Sequence, residues 1–199
     1  MAYEIQTYTA GQMAEADFLA ACELHHAAFP KPGRTLDDVI AKKRPVWIGG
    51  DGLPGVVPGP LVSDDPPVRY AIRDASGAWL ANAAVLTRTI GTARGDLKVL
   101  GLLDVATSPA ARGQGLGALV VKAAWQAVDN GRYPLCLFET GEARLFYEKL
   151  GAKVVKNRFV DSTHPSQPGV NPFTDELEMV YPASADWPEG EIDLRGPGY

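Results

Sequence analysis

Apolar and polar residues alternate over Tyr3–Tyr8, the period-two pattern of a half-buried strand. The period then lengthens. From about Met13 to Phe29, the residues Phe18, Cys22, His25 and Phe29 recur at helical spacing and predict one apolar helix face. Pro30-Lys31-Pro32-Gly33 breaks that helix. Thr35 with Asp38 resembles a capping box, opening a short helix that turns Leu36, Val39 and Ile40 inward. Gly49–Pro67 is rich in glycine and proline and reads as a long loop, with a substrate lid as the expectation.

Two strands follow, Val68–Arg73 and Ala78–Thr89. Asp74-Ala75-Ser76-Gly77 between them is turn material and predicts a hairpin. Leu97–Thr107 is another strand, its centre Val99–Leu103 almost wholly apolar, as a central strand should be. A helix is expected from about Gly115 to Asn130, with Leu116, Leu119, Val120, Ala123 and Ala127 on one side and Gly131 as its stop. Pro134–Glu139 reads as a buried strand, Glu142–Leu150 as a helix ended by Gly151, and Ala152–Val160 and Glu176–Tyr181 as the last strands. The polar loop Asp161–Asp175 joins those two. The order β, α, α, β, β, β, α, β, α, β, β describes an α/β protein with a mixed sheet rather than a regular βαβ series. One domain over 1–182 is expected, with 183–199 a loosely attached tail.

Composition narrows the function classes. The chain has 199 residues, 46% hydrophobic and 22% charged, an ordinary globular balance. A net charge of -5 argues against a nucleic-acid-binding face. No apolar run is long enough to span a membrane, and the N-terminus lacks a signal-peptide pattern. Cys22 and Cys136 form no CxxC pair and no zinc spacing with His25, His26 or His164, so no metal is expected. Two free buried thiols suit a cytoplasmic protein.

The chemistry sits in Leu102-Leu103-Asp104-Val105-Ala106-Thr107-Ser108-Pro109-Ala110-Ala111-Arg112-Gly113-Gln114-Gly115-Leu116-Gly117. A hydrophobic strand runs through a turn into a glycine-rich helix start. The first amides of a helix lack partners and their dipoles point together, which favours an anion. Glycine lets a phosphate approach the backbone, and Arg112 adds a fixed charge. A nucleoside-triphosphate loop would need Gly-Lys-Ser/Thr, where Leu116-Gly117-Ala118 stands. A dinucleotide fold remains an alternative. Gly113-x-Gly115-x-x-Ala118 fits its fingerprint and Glu139 stands at a plausible distance for a ribose contact, but too few βαβ units follow.

Arg112, Gly115 and Gly117 also satisfy the Gln/Arg-x-x-Gly-x-Gly/Ala signature of the GNAT superfamily of N-acetyltransferases. Ala143-Arg144-Leu145-Phe146-Tyr147-Glu148-Lys149-Leu150-Gly151-Ala152 resembles that family's second pattern, a helix ending in Phe-Tyr-Glu-x-Leu-Gly-Phe. The two motifs, in this order and separated by a helix and a strand, cover about Leu97–Val160.

The resemblance implies a GNAT-like acyl-CoA N-acyltransferase fold, a splayed central sheet flanked by helices. It implies acetyl-CoA as co-substrate and an amine acceptor, small molecule or peptide, with direct attack in a ternary complex. A homodimer is compatible with it. Val105, Ala106 and Thr107 match the strand end that pairs with pantetheine and polarises the thioester carbonyl. Arg112, Gly113, Gln114, Gly115, Leu116 and Gly117 match the pyrophosphate loop. Tyr147 matches the tyrosine proposed to protonate the thiolate, and a packed core aromatic is the other reading of it. Thr140 stands where many members carry an asparagine that contacts the cofactor. Asp104 and Glu139 are the candidate bases for the amine. The acceptor site is expected from Phe29–Arg44 and Asp161–Asp175. A CoA-binding regulatory module without catalysis is the alternative within the resemblance.

Overall fold

The computed structural model describes residues 3–48, 63–164, 170–174 and 177–199. The expected lid over Gly49–Pro67 lies mostly outside the described residues, as does part of the Asp161–Asp175 loop. In chain order the elements are β1 (Ile5–Thr9), α1 (Glu15–Ala28), α2 (Leu36–Trp47), β2 (Val68–Arg73), β3 (Trp79–Thr92), β4 (Gly95–Thr107) and a 3-10 turn (Pro109–Ala111). They continue with α3 (Leu116–Asp129), β5 (Cys136–Thr140), α4 (Arg144–Lys149), β6 (Lys153–Val154), β7 (Phe159–Val160), β8 (Leu177–Tyr181) and β9 (Ile192–Asp193). The fold is mixed α/β, and strand order in the sheet is β1-β2-β3-β4-β5-β8-β6, with β9 on β3 and β7 on β9. Two compact units divide the described residues. One draws on residues 3–48, 66–85 and 103–124, the other on residues 63–65 and 86–102 and the described residues of 125–199.

In the first unit β1 and β2 run antiparallel from Ile5↔Ile72 to Thr9↔Val68, and β2 and β3 antiparallel from Val68↔Val85. The predicted hairpin turn is present. Asp74 Oδ1 accepts from the amides of Ser76 and Ala78, and Gly77 takes the left-handed φ of 88° that closes the turn. The capping box at α2 is also as expected: the Thr35 hydroxyl accepts from the Asp38 amide at 3.2 Å, and Asp38 accepts from the Thr35 amide at 2.8 Å. Phe18, Cys22, Leu24, Val39, Trp47, Trp79 and Ala106 form this unit's core. On α1 the apolar face is rotated from the expected one. Ala21, Leu24 and Ala28 are buried and Phe29 is exposed, because the helix ends at Ala28 and Phe29 leaves the helical track.

In the second unit β5 lies between β4 and β8. It pairs parallel with β4 at Leu100↔Cys136 and Gly101↔Leu137, and antiparallel with β8 along all five of its residues. The β4–β5 ladder is thus two pairs long. Among the described residues β4–α3–β5 is one parallel crossover through a helix, whereas a dinucleotide fold needs a series of them, so the dinucleotide alternative is set aside. Val99, Leu135, Leu137, Phe159, Val180, Ile192 and Leu194 make this unit's core.

Three further expectations are corrected. The single strand expected over Ala152–Val160 is two short ones, β6 on β8 and β7 on β9. The tail after Pro182 is packed, not loosely attached. It supplies β9, its Ile192 and Leu194 are fully buried, and the Tyr199 hydroxyl donates to the Leu137 carbonyl at 3.2 Å. The polar and glycine-rich run around these few apolar residues hid them from a periodicity argument. On α3, Leu116, Val120, Val121, Ala124, Trp125 and Val128 are buried and Leu119 is exposed, so its inward face also differs from the expected one. Among the described residues no helix is long and apolar enough to cross a membrane.

Candidate active site

The strand end and the loop expected to hold the cofactor lie in the first unit. β4 is extended until Asp104, whose φ is 54°, a left-handed value rare for a residue other than glycine. The Asn82 side-chain amide donates to the Asp104 carbonyl and holds the distortion from the neighbouring strand. Val105 and Thr107 are half-buried and Ala106 is buried. The Ser108 amide donates to the Leu80 carbonyl at 2.8 Å, and Pro109–Ala111 then turn the chain toward α3.

The loop itself is exposed from Arg112 to Gly115, while Leu116 anchors it in the core. Gly113 and Gly115 have φ of 80° and 78°, and a Cβ at either would meet nothing within 4 Å. These glycines are therefore required by backbone conformation, and the space beside them is open. The first intrahelical bond runs from the Leu119 amide to the Gly115 carbonyl at 3.2 Å, so the amides of Leu116, Gly117 and Ala118 precede the helical ladder. Arg112 donates to the Ala28 carbonyl at 3.0 Å, at the end of α1. Gln114 accepts from the hydroxyl of Tyr3, two residues before β1, at 3.1 Å, a contact that no sequence pattern announced.

Asp104 is corrected as a candidate base. Its carboxylate is the centre of an ion cluster: Lys43 of α2 pairs with Oδ1, and Arg69 of β2 donates to Oδ2 at 2.9 Å. Those cations hold the carboxyl far below the usual carboxylate range despite its burial, which leaves it a poor proton acceptor at neutral pH. His25 of α1 stands 3.8 Å from Oδ1. Burial, with Lys43 adding to it, lowers the His25 pKa to about 4, so the ring is neutral. Burial also pushes the Cys22 thiol up to about 11. The sequence marks Asp104 as a candidate but does not mark its partners. Lys43 and Arg69 belong to no motif that the sequence shows.

The remaining candidates lie in the second unit. Glu139, half-buried on β5, accepts the Thr174 amide at 2.6 Å and lies opposite Glu178 of β8, which Asn171 meets at 2.7 Å. The Thr140 hydroxyl accepts the Ala143 amide at 3.3 Å, fixing the entry to α4. Tyr147 is 6% exposed and packs its ring against Phe138 at 4.6 Å and Phe146 at 5.0 Å, both as tilted or edge contacts. Its hydroxyl has no hydrogen-bond partner among the described residues, and burial raises its pKa well above the usual phenol value. Cys22 and Cys136 are both free and buried. Among the described residues no group of three or more His, Cys, Asp or Glu is placed to hold a metal.

The fold, a mixed sheet flanked by helices, is similar to that of known acyl-CoA N-acyltransferases. Residues 74–151 match the family described as acetyltransferase (GNAT) domain. That stretch holds the Arg112–Gly117 loop and the Phe146–Gly151 run on which the resemblance rests. The chain's structure is similar to a GNAT family N-acetyltransferase from Escherichia coli solved in complex with CoA, with a TM-score of 0.60 at 14% identity over 98% of this chain and 91% of that one. It is also similar to an acyl-CoA N-acyltransferase from Pseudomonas aeruginosa, with a TM-score of 0.56 at 16% identity over 90% and 99% of the two chains. A third, glucosamine-6-phosphate N-acetyltransferase from Arabidopsis thaliana, has a TM-score of 0.51 at 18% identity over 76% and 91%. At such identities the likeness establishes the fold. No curated protein sequence matches the chain.

Proposed function

We propose that the protein is an acetyl-CoA-dependent N-acetyltransferase acting on a primary amine by direct attack, with no covalent enzyme intermediate. The observation that carries the reading is the exposed loop opening α3. A pyrophosphate needs several donors converging with nothing in the way. Gly113 and Gly115 in left-handed conformation, with open space where a side chain would stand, followed by the amides that precede the helical ladder, support that reading. Arg112, Gly113, Gln114, Gly115, Leu116 and Gly117 are the residues that would hold it.

Val105, Ala106 and Thr107 would pair their backbone with the pantetheine arm and polarise the thioester carbonyl. The Asn82 bond to Asp104 keeps that strand end in one conformation. Thr140 would offer its hydroxyl hydrogen to the cofactor, since its oxygen already accepts the Ala143 amide.

The acceptor ammonium loses a proton, its nitrogen forms a bond to the thioester carbon, and the carbon–sulfur bond breaks with the electron pair on sulfur. The nitrogen then loses a second proton, and the thiolate gains one from Tyr147, so one proton is released in all. Glu139 is the remaining carboxylate to receive the amine's proton, because Asp104 is committed to Lys43 and Arg69. Burial keeps Tyr147 protonated through the neutral range, the state an acid must start from.

The test is thermal unfolding with CoA and acetyl-CoA, then CoA release with a panel of primary amines. Ligand at about a hundred times its dissociation constant adds about 2.7 kcal/mol of stability. No shift at millimolar CoA would overturn the reading. A clear shift without turnover of any amine would favour a binding module over an enzyme.

A further inference from the structure

We infer that the acceptor is a primary amine that also carries an anionic group, a carboxylate or a phosphate, and that this group docks on Lys43 beside His25. The inference rests on the acetyltransferase reading and names its substrate class. Its starting point is a charge count inside the first unit. Lys43 and Arg69 are two cations sharing one carboxylate, Asp104. Arg69 is 2% exposed and lies 4.2 Å from the centre of the Trp47 ring, whose face offsets part of its charge. Lys43 has no such offset. The side chains of Lys43, His25 and Asp104 keep 15%, 17% and 10% of their surface, so the cluster reaches solvent along this edge.

The titratable neighbours do not supply the missing negative charge. From α1, Cys22 and His25 are both neutral at pH 7. From α2, Arg44 is taken by Glu15 at the surface. Arg34, before α2, adds positive charge near His25, and the nearby Asp38 is engaged by Thr35. With Lys43 protonated, the cluster is therefore one negative charge short among the described residues, and burial, with Arg69 adding to it, pushes the Lys43 pKa down against the pull of Asp104. A buried group of ions with an uncompensated member is costly, and an anion from a ligand removes that cost. His25 Nδ1 and, on the segment before α2, Arg34 Nε are each buried without a hydrogen-bond partner among the described residues.

Position tells which ligand brings the anion. Asp104 immediately precedes Val105–Thr107, the strand end proposed to hold the acyl group, whereas the phosphates of CoA are assigned to Arg112–Gly117. A molecule anchored at Lys43 is thus an acceptor presented to the thioester. The same positive excess disfavours the ammonium form of a neighbouring amine and favours the free base that attacks.

The experiment uses matched amines on the CoA-saturated protein for binding, read as a Tm shift, and on acetyl-CoA turnover for kcat/KM. One pair is an ω-amino acid and its amide, the other an aminoalkyl phosphate and its alcohol. The expected result is a preference of about tenfold to a hundredfold for the anionic member of one pair, the range of a charge-assisted contact. Whichever pair shows it separates carboxylate from phosphate. In Lys43→Met, which leaves Asp104 and Arg69 as a balanced pair, the preference should collapse toward one. Arg34→Gln, at a surface loop, should reduce it too and serves if the first variant fails to fold. Equal handling of both members, or a preference that survives both substitutions, overturns the inference while leaving the acetyltransferase reading intact. Failure of CoA to shift Tm strikes that reading instead, and Tm shifts by the amines alone then judge the anion site, with absence of a shift overturning it.

Discussion

The ring of Tyr199 lies over the bare α-carbon of Gly101: a Cβ placed on Gly101 would come within 2.7 Å of the Tyr199 ring and 2.8 Å of Leu86. Gly101 is the residue of β4 that pairs with Leu137, whose carbonyl receives the Tyr199 hydroxyl. The glycine in the middle of an apolar strand is therefore explained by the close approach of an aromatic ring rather than by a turn. Gly101→Ala should destabilise the protein by about 1–3 kcal/mol through overpacking. Pairing it with Tyr199→Ala should relieve part of the clash and leave the part due to Leu86. Denaturant unfolding of the two single variants and the double variant checks this. Additive losses would mean that the ring does not press on Gly101.

Much of this architecture is legible in the sequence because its signals are local. The capping box at Thr35 and Asp38, the Asp74–Gly77 turn and the glycine loop before α3 each act within a few residues, and each is found where the pattern puts it. What the sequence hides is contact at long range. Lys43 and Arg69 look like surface cations until Asp104 gathers them, and nothing in their neighbours' periodicity marks them as buried. Tyr199 and the short β9 are likewise too brief to leave a period. Helix faces fall between these cases. The helical period of α3 is real, but small residues on every side blur which face turns inward, and Trp125 rather than Ala123 takes the core.

The pyrophosphate loop yields a charge test that backbone strain does not confound. Gly115→Asp and Gly115→Asn impose a similar cost at φ 78°, and both residue types tolerate that region better than most. Their Cβ atoms enter open space. The aspartate adds a negative charge where a phosphate is proposed to bind. CoA affinity should therefore fall at least about tenfold more in the aspartate variant than in the asparagine variant, a difference of about 1.4 kcal/mol. Their melting temperatures without ligand should stay close together. Equal CoA affinities would put the phosphates elsewhere.

His25 gives the fold a pH dependence of known sign. Its pKa is about 4 in the folded protein against a usual 6.5, so the unfolded chain binds more protons between those values. Stability should be full above about pH 6.5 and should fall as pH drops toward 4, by up to about 1.4 kcal/mol per pH unit for the one proton. His25→Gln should flatten this slope. Asp104 shares the direction but acts lower, below the usual carboxylate pKa of 3.8, so the two windows separate. Denaturant midpoints measured at half-unit intervals from pH 4 to 7 decide the matter, and an unchanged slope in the variant would remove His25 as the cause.

Tyr147→Phe separates the chemical reading of that residue from the packing one. The ring makes the packing contacts, with Phe138, Phe146 and, at 6.3 Å, Trp125, and the phenylalanine keeps them. The hydroxyl has no partner among the described residues, so its loss leaves no buried group unsatisfied, and Tm should stay within about a degree of wild type. If the hydroxyl protonates the departing thiolate, it acts in the transition state and little in the ground state. The expected outcome is a kcat lower by about a hundredfold, with CoA affinity nearly unchanged. Steady-state kinetics on an active amine, with CoA titration on the same samples, provides the measurement. A more acidic leaving thiol needs less help from an acid, so an acyl donor with such a thiol should narrow the gap between variant and wild type. A kcat within about threefold of wild type, well short of what a positioned acid contributes, would leave Tyr147 as a core aromatic and the proton would have to come from solvent.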